Sequence, residues 1–345
     1  MSALAPVQWV RLNPWVRVLR LEYQGDNFLI WFGATALAAT AKTFHCGWFL
    51  VGLVMLVLAQ AALELLDGYY DDAHGAHGVK HHNAPRWTGG SGVLAAGLLS
   101  PASVKKVAWG CGLLATALFI WVTAERTGWA GFAIGLAGAV AGAGWAMPPL
   151  KLSYRGLGEI TQGVVLGPLM AAQAWTIASG HFEWKALLVG LPFGALELAM
   201  GLLNNFIDRE SDARASKKNW VVRHGAQAGA VAHAAALTLG FAFHAYLVWV
   251  GTLPMLLACC LLPATLAWNA SRKVFAVVRS PSAEQAHRLA AEFPTYGVVT
   301  AYGLTFVFAS LAWLSQRAPE ISLWLAVAFA LCYAPVLGVL WARRI

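Results

Sequence analysis

The sequence predicts an all-α, polytopic membrane protein, a bundle of nine to ten transmembrane helices around a central cavity. Three observations predict it. Hydrophobic residues fill 59% of the 345 positions and charged residues only 12%, whereas soluble domains carry roughly a quarter charged residues. Apolar runs of about 20 residues, the length that crosses a bilayer as a helix, recur along the chain. The Lys and Arg residues are also sorted by loop, which is how membrane topology is written into a sequence.

The apolar runs lie near 27–43, 45–66, 103–124, 128–147, 158–179, 185–206, 226–249, 252–270, 295–315 and 321–342. A short polar bend at Lys42, Thr43 and His45 separates the first two, and a tight turn at Gly251 joins the seventh and eighth. With the N-terminus in the cytoplasm, only Lys42, Arg126, Lys185 and Arg317 of the 24 basic residues face the opposite side. Both ends are then expected inside. This placement accounts for the net charge of +8 without a nucleic-acid partner. Residues 1–26, with Arg11, Arg17, Arg20, Glu22 and Asp26, show no signal-peptide pattern. Cys46, Cys111, Cys259, Cys260 and Cys332 sit inside apolar runs and read as small core residues. The whole chain, 1–345, reads as a single transmembrane domain with cytoplasmic cap loops at 72–102 and 207–224.

Two helix ends carry the chemistry. The second run closes on Glu64, Asp67, Asp71 and Asp72, and the sixth on Asn204, Asn205, Asp208 and Asp212. Glu64, Asp67 and Asp71 are separated by steps of three and four, as are Asn205, Asp208 and Asp212. Those steps put each trio on one helix face. Carboxylates at membrane depth are expensive and mark functional sites, and at a helix C-terminus they oppose the macrodipole. Paired oxygen clusters suit Mg²⁺ chelation of a diphosphate, because this hard ion takes one or two carboxylates and completes its shell with water and phosphate oxygens. The expected metal ligands are Glu64, Asp67, Asp71, Asn205, Asp208 and Asp212, with Asp67, Asp71, Asp208 and Asp212 catalytic. Lys151, Arg155, Lys217 and Arg223, with Asn204 and Asn205, are the expected diphosphate-binding residues; the positive-inside rule alone would also put bases in these loops.

The loop at 72–102, with Arg86-Trp-Thr-Gly-Gly-Ser-Gly92, reads as a lid or as a plain linker. Its His74, His77, His81 and His82 match no standard zinc spacing. Glu197, inside the sixth run, reads as a hydrogen-bonded helix-packing group, the alternative being a base facing the reaction chamber.

These motifs resemble the UbiA superfamily of intramembrane prenyltransferases, and within it the 1,4-dihydroxy-2-naphthoate polyprenyltransferases of menaquinone synthesis. The family's N-D-x-x-D motif is matched by Leu63-Glu64-Leu65-Leu66-Asp67, followed by Asp71. Its N-N-x-x-D-x-x-x-D motif and the basic stretch after it are matched by Asn204 through Asp212 and by Ser216 through Gly225. The run Pro148–Glu159 and Thr88–Gly92 are similar to two family loops, and the resemblance covers about residues 17–315. Leu63, Glu64, Ser216 and Asn219 depart from the family pattern, as does the room for a tenth helix. The resemblance implies Mg²⁺-dependent transfer of a polyprenyl group from a polyprenyl diphosphate to an aromatic acceptor, with 1,4-dihydroxy-2-naphthoate a candidate. It also implies a multi-pass protein of the bacterial inner membrane, in contact with lipid, with its site toward the cytoplasm. The rival expectations are a transporter or binding protein for an anionic lipid or phosphate, and an inactive family member.

Overall fold

A computed structural model describes residues 13–40, 42–73, 91–279, 289 and 292–344. All regular structure among them is helical. A short α1, Pro14–Val18, leads into α2, Leu21–Ala38, and α3, Cys46–Ala73. Then come α4, Pro101–Val122, α5, Gly128–Ala143, α6, Gly158–Val164, and α7, Met170–Ser179. The long α8, Trp184–Arg214, and α9, Trp220–Trp249, are followed by α10, Ala264–Arg279, α11, Pro294–Ser315, and α12, Pro319–Arg344.

Six helical stretches among the described residues are long and apolar enough to cross a membrane. One of them, Pro101–Ala143, is 43 residues long and doubles back at Gly128, where φ is +59°. The Phe119 ring of α4 stacks on Phe132 of α5 at 5.7 Å. Helices α6 and α7 join through a π turn, Val165–Leu169, that contains Pro168. A π turn accommodates the hydrogen bond a proline cannot donate.

Glycines set the close crossings, as expected where helices gain nothing from the hydrophobic effect and must pack by contact. Gly163 and Gly167 face Gly190 and Gly194 of α8. A Cβ on Gly167 would lie 2.4 Å from the Gly194 Cα, and one on Gly190 would lie 2.5 Å from the Gly167 carbonyl oxygen. Helix α2 runs buried through the bundle: a Cβ on Gly33 would strike Phe306 of α11, and one on Gly25 would lie 2.9 Å from Val336 of α12. At the end of the bundle away from the acidic helix ends, the Arg126 guanidinium donates to the carbonyls of Thr43, Ile177 and Ala178 at 2.6–3.1 Å.

Three sequence expectations change. Helix α2 begins at Leu21, six residues ahead of the expected run, because Glu22, Gln24, Asp26 and Asn27 are buried inside the bundle and not solvated in a loop. The run at 252–270 is broken by Pro254 and Pro263 into a 3₁₀ segment, Met255–Leu261, and α10. The second cap loop, 207–224, is partly helical, because α8 continues to Arg214 and a helical stretch begins at Trp220, set off from the rest of α9 by non-helical backbone at Gly225. Most of the first cap loop, including His74, His77, His81, His82 and Arg86, lies outside the described residues.

Candidate active site

The C-terminal turns of α3 and α8 face each other across a cavity of about 580 Å³. Glu64, Asp67 and Asp71 line it from one side, and Asn204, Asn205, Asp208 and Asp212 from the other, with Lys217 between them. The glycine crossing of α6 and its π turn on α8 brings the α6 side chains onto the second cluster. Glu159 accepts a hydrogen bond from the Asn205 side chain and another, at 2.8 Å, from the backbone N–H of Trp220. One buried carboxylate thus ties α6, α8 and α9 together.

The short turn at 215–219 sets the rest. Ser216 adopts a positive φ of 58°, and the Lys217 N–H donates to the Asp212 carbonyl at 2.8 Å. The Lys217 side chain then turns across the cavity to Asp71, Nζ to Oδ2 3.0 Å. Tyr154 donates its hydroxyl to the other oxygen of Asp71 at 2.7 Å. The Asn219 carboxamide donates to Asp212 Oδ2 at 2.8 Å, while its oxygen caps α9 by accepting from the Val222 N–H at 2.8 Å. Gly156, with φ of +75°, lets the 152–155 turn close on this segment, since a Cβ there would lie 3.0 Å from the Lys218 carbonyl oxygen.

Charge follows geometry. Burial alone would lower the Lys217 pKa, but Asp71, Asp212 and Asp67 outweigh it and hold the ammonium well above the ordinary lysine value. Burial and then the Asp71 carboxylate raise the Tyr154 phenol, so it stays a donor at neutral pH. Arg20 also lines the cavity. Burial would lower its pKa, yet Tyr23, Glu64, Glu22 and Asp67 raise it above the usual value. Its guanidinium lies 3.6 Å from Glu64, which also accepts from Gln60 at 3.0 Å.

The expected site residues divide in two. Both acidic trios, Asn204 and Lys217 line the one cavity, whereas Lys151, Arg155 and Arg223 do not. The Lys151 ammonium lies 5.1 Å from the Tyr154 ring centroid, Arg155 donates to the Pro149 carbonyl at 2.8 Å, and Arg223 packs on Gly156. Leu63, in the place of the family's asparagine, packs against α5, where a Cβ on Gly142 would lie 2.8 Å from it. The sequence alone gives no role to Tyr154, Glu159, Asn219 or Arg20. Tyr154 and Glu159 do fall in the 148–159 stretch singled out by resemblance, which was the available signal.

Among the described residues, no three acidic, His or Cys side chains converge closely enough to hold a cation by themselves. The six expected ligands therefore do not form a ready-made protein cage. That arrangement fits Mg²⁺, which demands few protein ligands and takes phosphate and water oxygens. The donors are all oxygens, and Asp67 Oδ1 and Asn204 Oδ1 are buried without a hydrogen-bond partner. Asp67, Asp71, Asp208 and Asp212 bring carboxylate oxygens to this cavity from both helices.

Comparisons with known proteins bear on the family and the fold. The 1,4-dihydroxy-2-naphthoate octaprenyltransferase of Bacillus subtilis is 25% identical over 203 residues, 59% of this chain and 61% of that one. The 2-carboxy-1,4-naphthoquinone phytyltransferase of Synechocystis is 34% identical over 82 residues, 24% of this chain and 27% of that one. The chain thus spans less than two thirds of the length of either relative. A UbiA homolog from Archaeoglobus fulgidus, solved with GPP and Mg²⁺, superposes with a TM-score of 0.57 at 14% identity, covering 86% of this chain and 100% of that one. A structure of digeranylgeranylglyceryl phosphate synthase gives a TM-score of 0.57 at 12% identity, over 88% and 99% of the two chains. Both likenesses show the fold. Residues 28–290 match the UbiA prenyltransferase family as a whole, and the chain belongs to that family.

Proposed function

We propose that this protein transfers a prenyl group from a prenyl diphosphate to an aromatic acceptor, with the diphosphate held at the mouth of the cavity on the cytoplasmic side of the membrane. The observation that carries this reading is the pair of equally spaced acidic trios lining one cavity with a single buried lysine between them. A transporter of free anions has no use for facing carboxylates, which would repel its cargo. Mg²⁺, when bound, neutralises the diphosphate and favours its departure.

The chain's own residues do the rest. Asp67 and Asp71 on α3, and Asp208 and Asp212 on α8, would hold Mg²⁺ against the two sides of the diphosphate. Lys217 supplies a charge that stays positive at neutral pH and balances the charge that builds on the leaving group. Tyr154 and Asn219 orient Asp71 and Asp212. The C1–O bond of the donor breaks with its electron pair leaving on the diphosphate, the aromatic carbon bonds to C1, and that ring carbon then gives up its proton to the released diphosphate, which restores the aromatic ring. Trp109, Leu113, Phe119 and Ile134 line the α4–α5 side of the cavity, and Leu113 is 68% exposed, so the apolar prenyl tail lies toward this lipid-facing wall. The naphthoate named for the Bacillus relative is the first acceptor to assay. Incubation with geranyl diphosphate, Mg²⁺ and 1,4-dihydroxy-2-naphthoate should yield a prenylated product by mass spectrometry together with released diphosphate. Diphosphate binding with no product from any of a panel of hydroxyaromatics contradicts the transferase reading.

A further inference from the structure

Deeper in the same cavity lies a second polar patch that the metal–diphosphate chemistry does not use. Glu197 sits eight residues before Asn205 on α8, about 12 Å along the helix axis, and is buried at 1% exposure. Its Oε2 accepts from the Gln162 carboxamide at 3.0 Å, and its Oε1 has no hydrogen-bond partner. Asp26 of α2 is an electrostatic neighbour of Glu197, and its Oδ1 is likewise without a hydrogen-bond partner. Gln173 of α7 is buried with neither its Nε2 nor its Oε1 hydrogen-bonded, and the Trp31 indole N–H is also unpartnered. All five side chains line the cavity. No Lys, Arg or His among the described residues pairs with Asp26 or Glu197.

Resting on the transferase reading above, we propose that Asp26, Glu197, Gln162 and Gln173, with the Trp31 indole, form the site that takes the hydroxyl groups of the aromatic acceptor. Buried polar atoms are hydrogen-bonded in folded proteins, and those left over call for a ligand or water. The patch cannot be a second phosphate pocket, because none of its side chains is a cation that would balance the charge of a phosphate. It cannot hold the prenyl tail, because hydrocarbon would leave every one of these atoms unsatisfied. The hydroxylated edge of an aromatic ring satisfies both sides, with any carboxylate on the ring kept on the edge away from Asp26 and Glu197. Its O–H groups donate to the free oxygens of Asp26 and Glu197, and its oxygens accept from the Gln173 amide and the Trp31 N–H. Gly201 makes the room, since a Cβ there would lie 2.8 Å from Gln162 Oε1. Selectivity for a hydroxylated acceptor follows, since an analogue lacking the hydroxyl leaves buried groups unpaired.

The test uses the full-length detergent-solubilised protein and three near-isosteric variants, Asp26→Asn, Glu197→Gln and Gln173→Leu. Calorimetry with 1,4-dihydroxy-2-naphthoate alone reads the patch without turnover, and steady-state assays give KM for each substrate separately. Each variant should raise the Kd and KM of the naphthoate by about tenfold or more, while the Kd of geranyl diphosphate with Mg²⁺ stays within about twofold of wild type. Intact geranyl diphosphate binding also shows that the variant is folded. Unchanged naphthoate constants in all three variants, or equal weakening of both substrates, overturns the assignment. If the wild-type protein binds prenyl diphosphate and prenylates nothing, the transferase reading fails instead, and the two failures are told apart by the wild-type assay.

Discussion

At the residue scale, Lys217 links the two acidic trios. Its side chain and that of Asp71 are 14% and 6% exposed, and removing one partner of a buried pair typically costs about 3–5 kcal/mol. Lys217→Met should therefore lower the stability of the ligand-free protein by an amount of that order and weaken Mg²⁺–prenyl diphosphate binding at least about tenfold. Lys217→Arg should recover part of both. The sign of the pH dependence follows from the raised pKa. The contribution of Lys217 is fully present below the unfolded lysine pKa, about 10.4, and is lost only as pH rises through the higher folded value. The melting-temperature difference between wild type and Lys217→Met should then stay level between about pH 7 and about pH 9. A difference that disappears across that window contradicts the assignment. Asn219 is the second residue to test. Asn219→Ala removes a helix cap worth about 1 kcal/mol and the donor to Asp212, and should lower both stability and prenyl diphosphate affinity, whereas Asn219→Ser, which retains a capping oxygen, should lower stability less.

At the element scale, the crossing of Gly163 and Gly167 on Gly190 and Gly194 places Glu159 beside Asn205 and Gln162 beside Glu197. Backbone meets backbone there, so Gly167→Leu has no room and should destabilise the protein by about 3 kcal/mol or more, read as a lower midpoint in a detergent melt. An unchanged midpoint contradicts the close crossing. This crossing follows from two small-x-x-x-small repeats that the hydropathy reading passed over, because glycine registers there only as mildly apolar. The acidic trios were legible for the opposite reason. Their three-and-four spacing is a one-helix property that needs no tertiary information. Tyr154, Glu159 and Asn219 act across helices, and no local pattern joins residue 154 to residue 71. The early start of α2 was hidden by Glu22, Gln24, Asp26 and Asn27, which look like a soluble leader until the bundle buries them. Lys151 ranks with Lys217 in the sequence, and Arg155 and Arg223 stand close behind, since the positive-inside bias fills the same loops with bases.

At the scale of the whole molecule, the basic loops predict a site that opens to the cytoplasm, with both ends of the chain on that side. Reporter fusions after Ala318 and at the C-terminus should report opposite compartments; the same compartment for both removes α12 as a span. The central claim is that the two trios act on one diphosphate. The most direct test measures Mg²⁺-dependent turnover of geranyl diphosphate by Asp67→Asn and Asp208→Asn, each shown to be monodisperse and folded. Each variant should lose at least about two powers of ten in turnover, roughly 2.7 kcal/mol of transition-state stabilisation. Turnover near wild type in both variants contradicts the account.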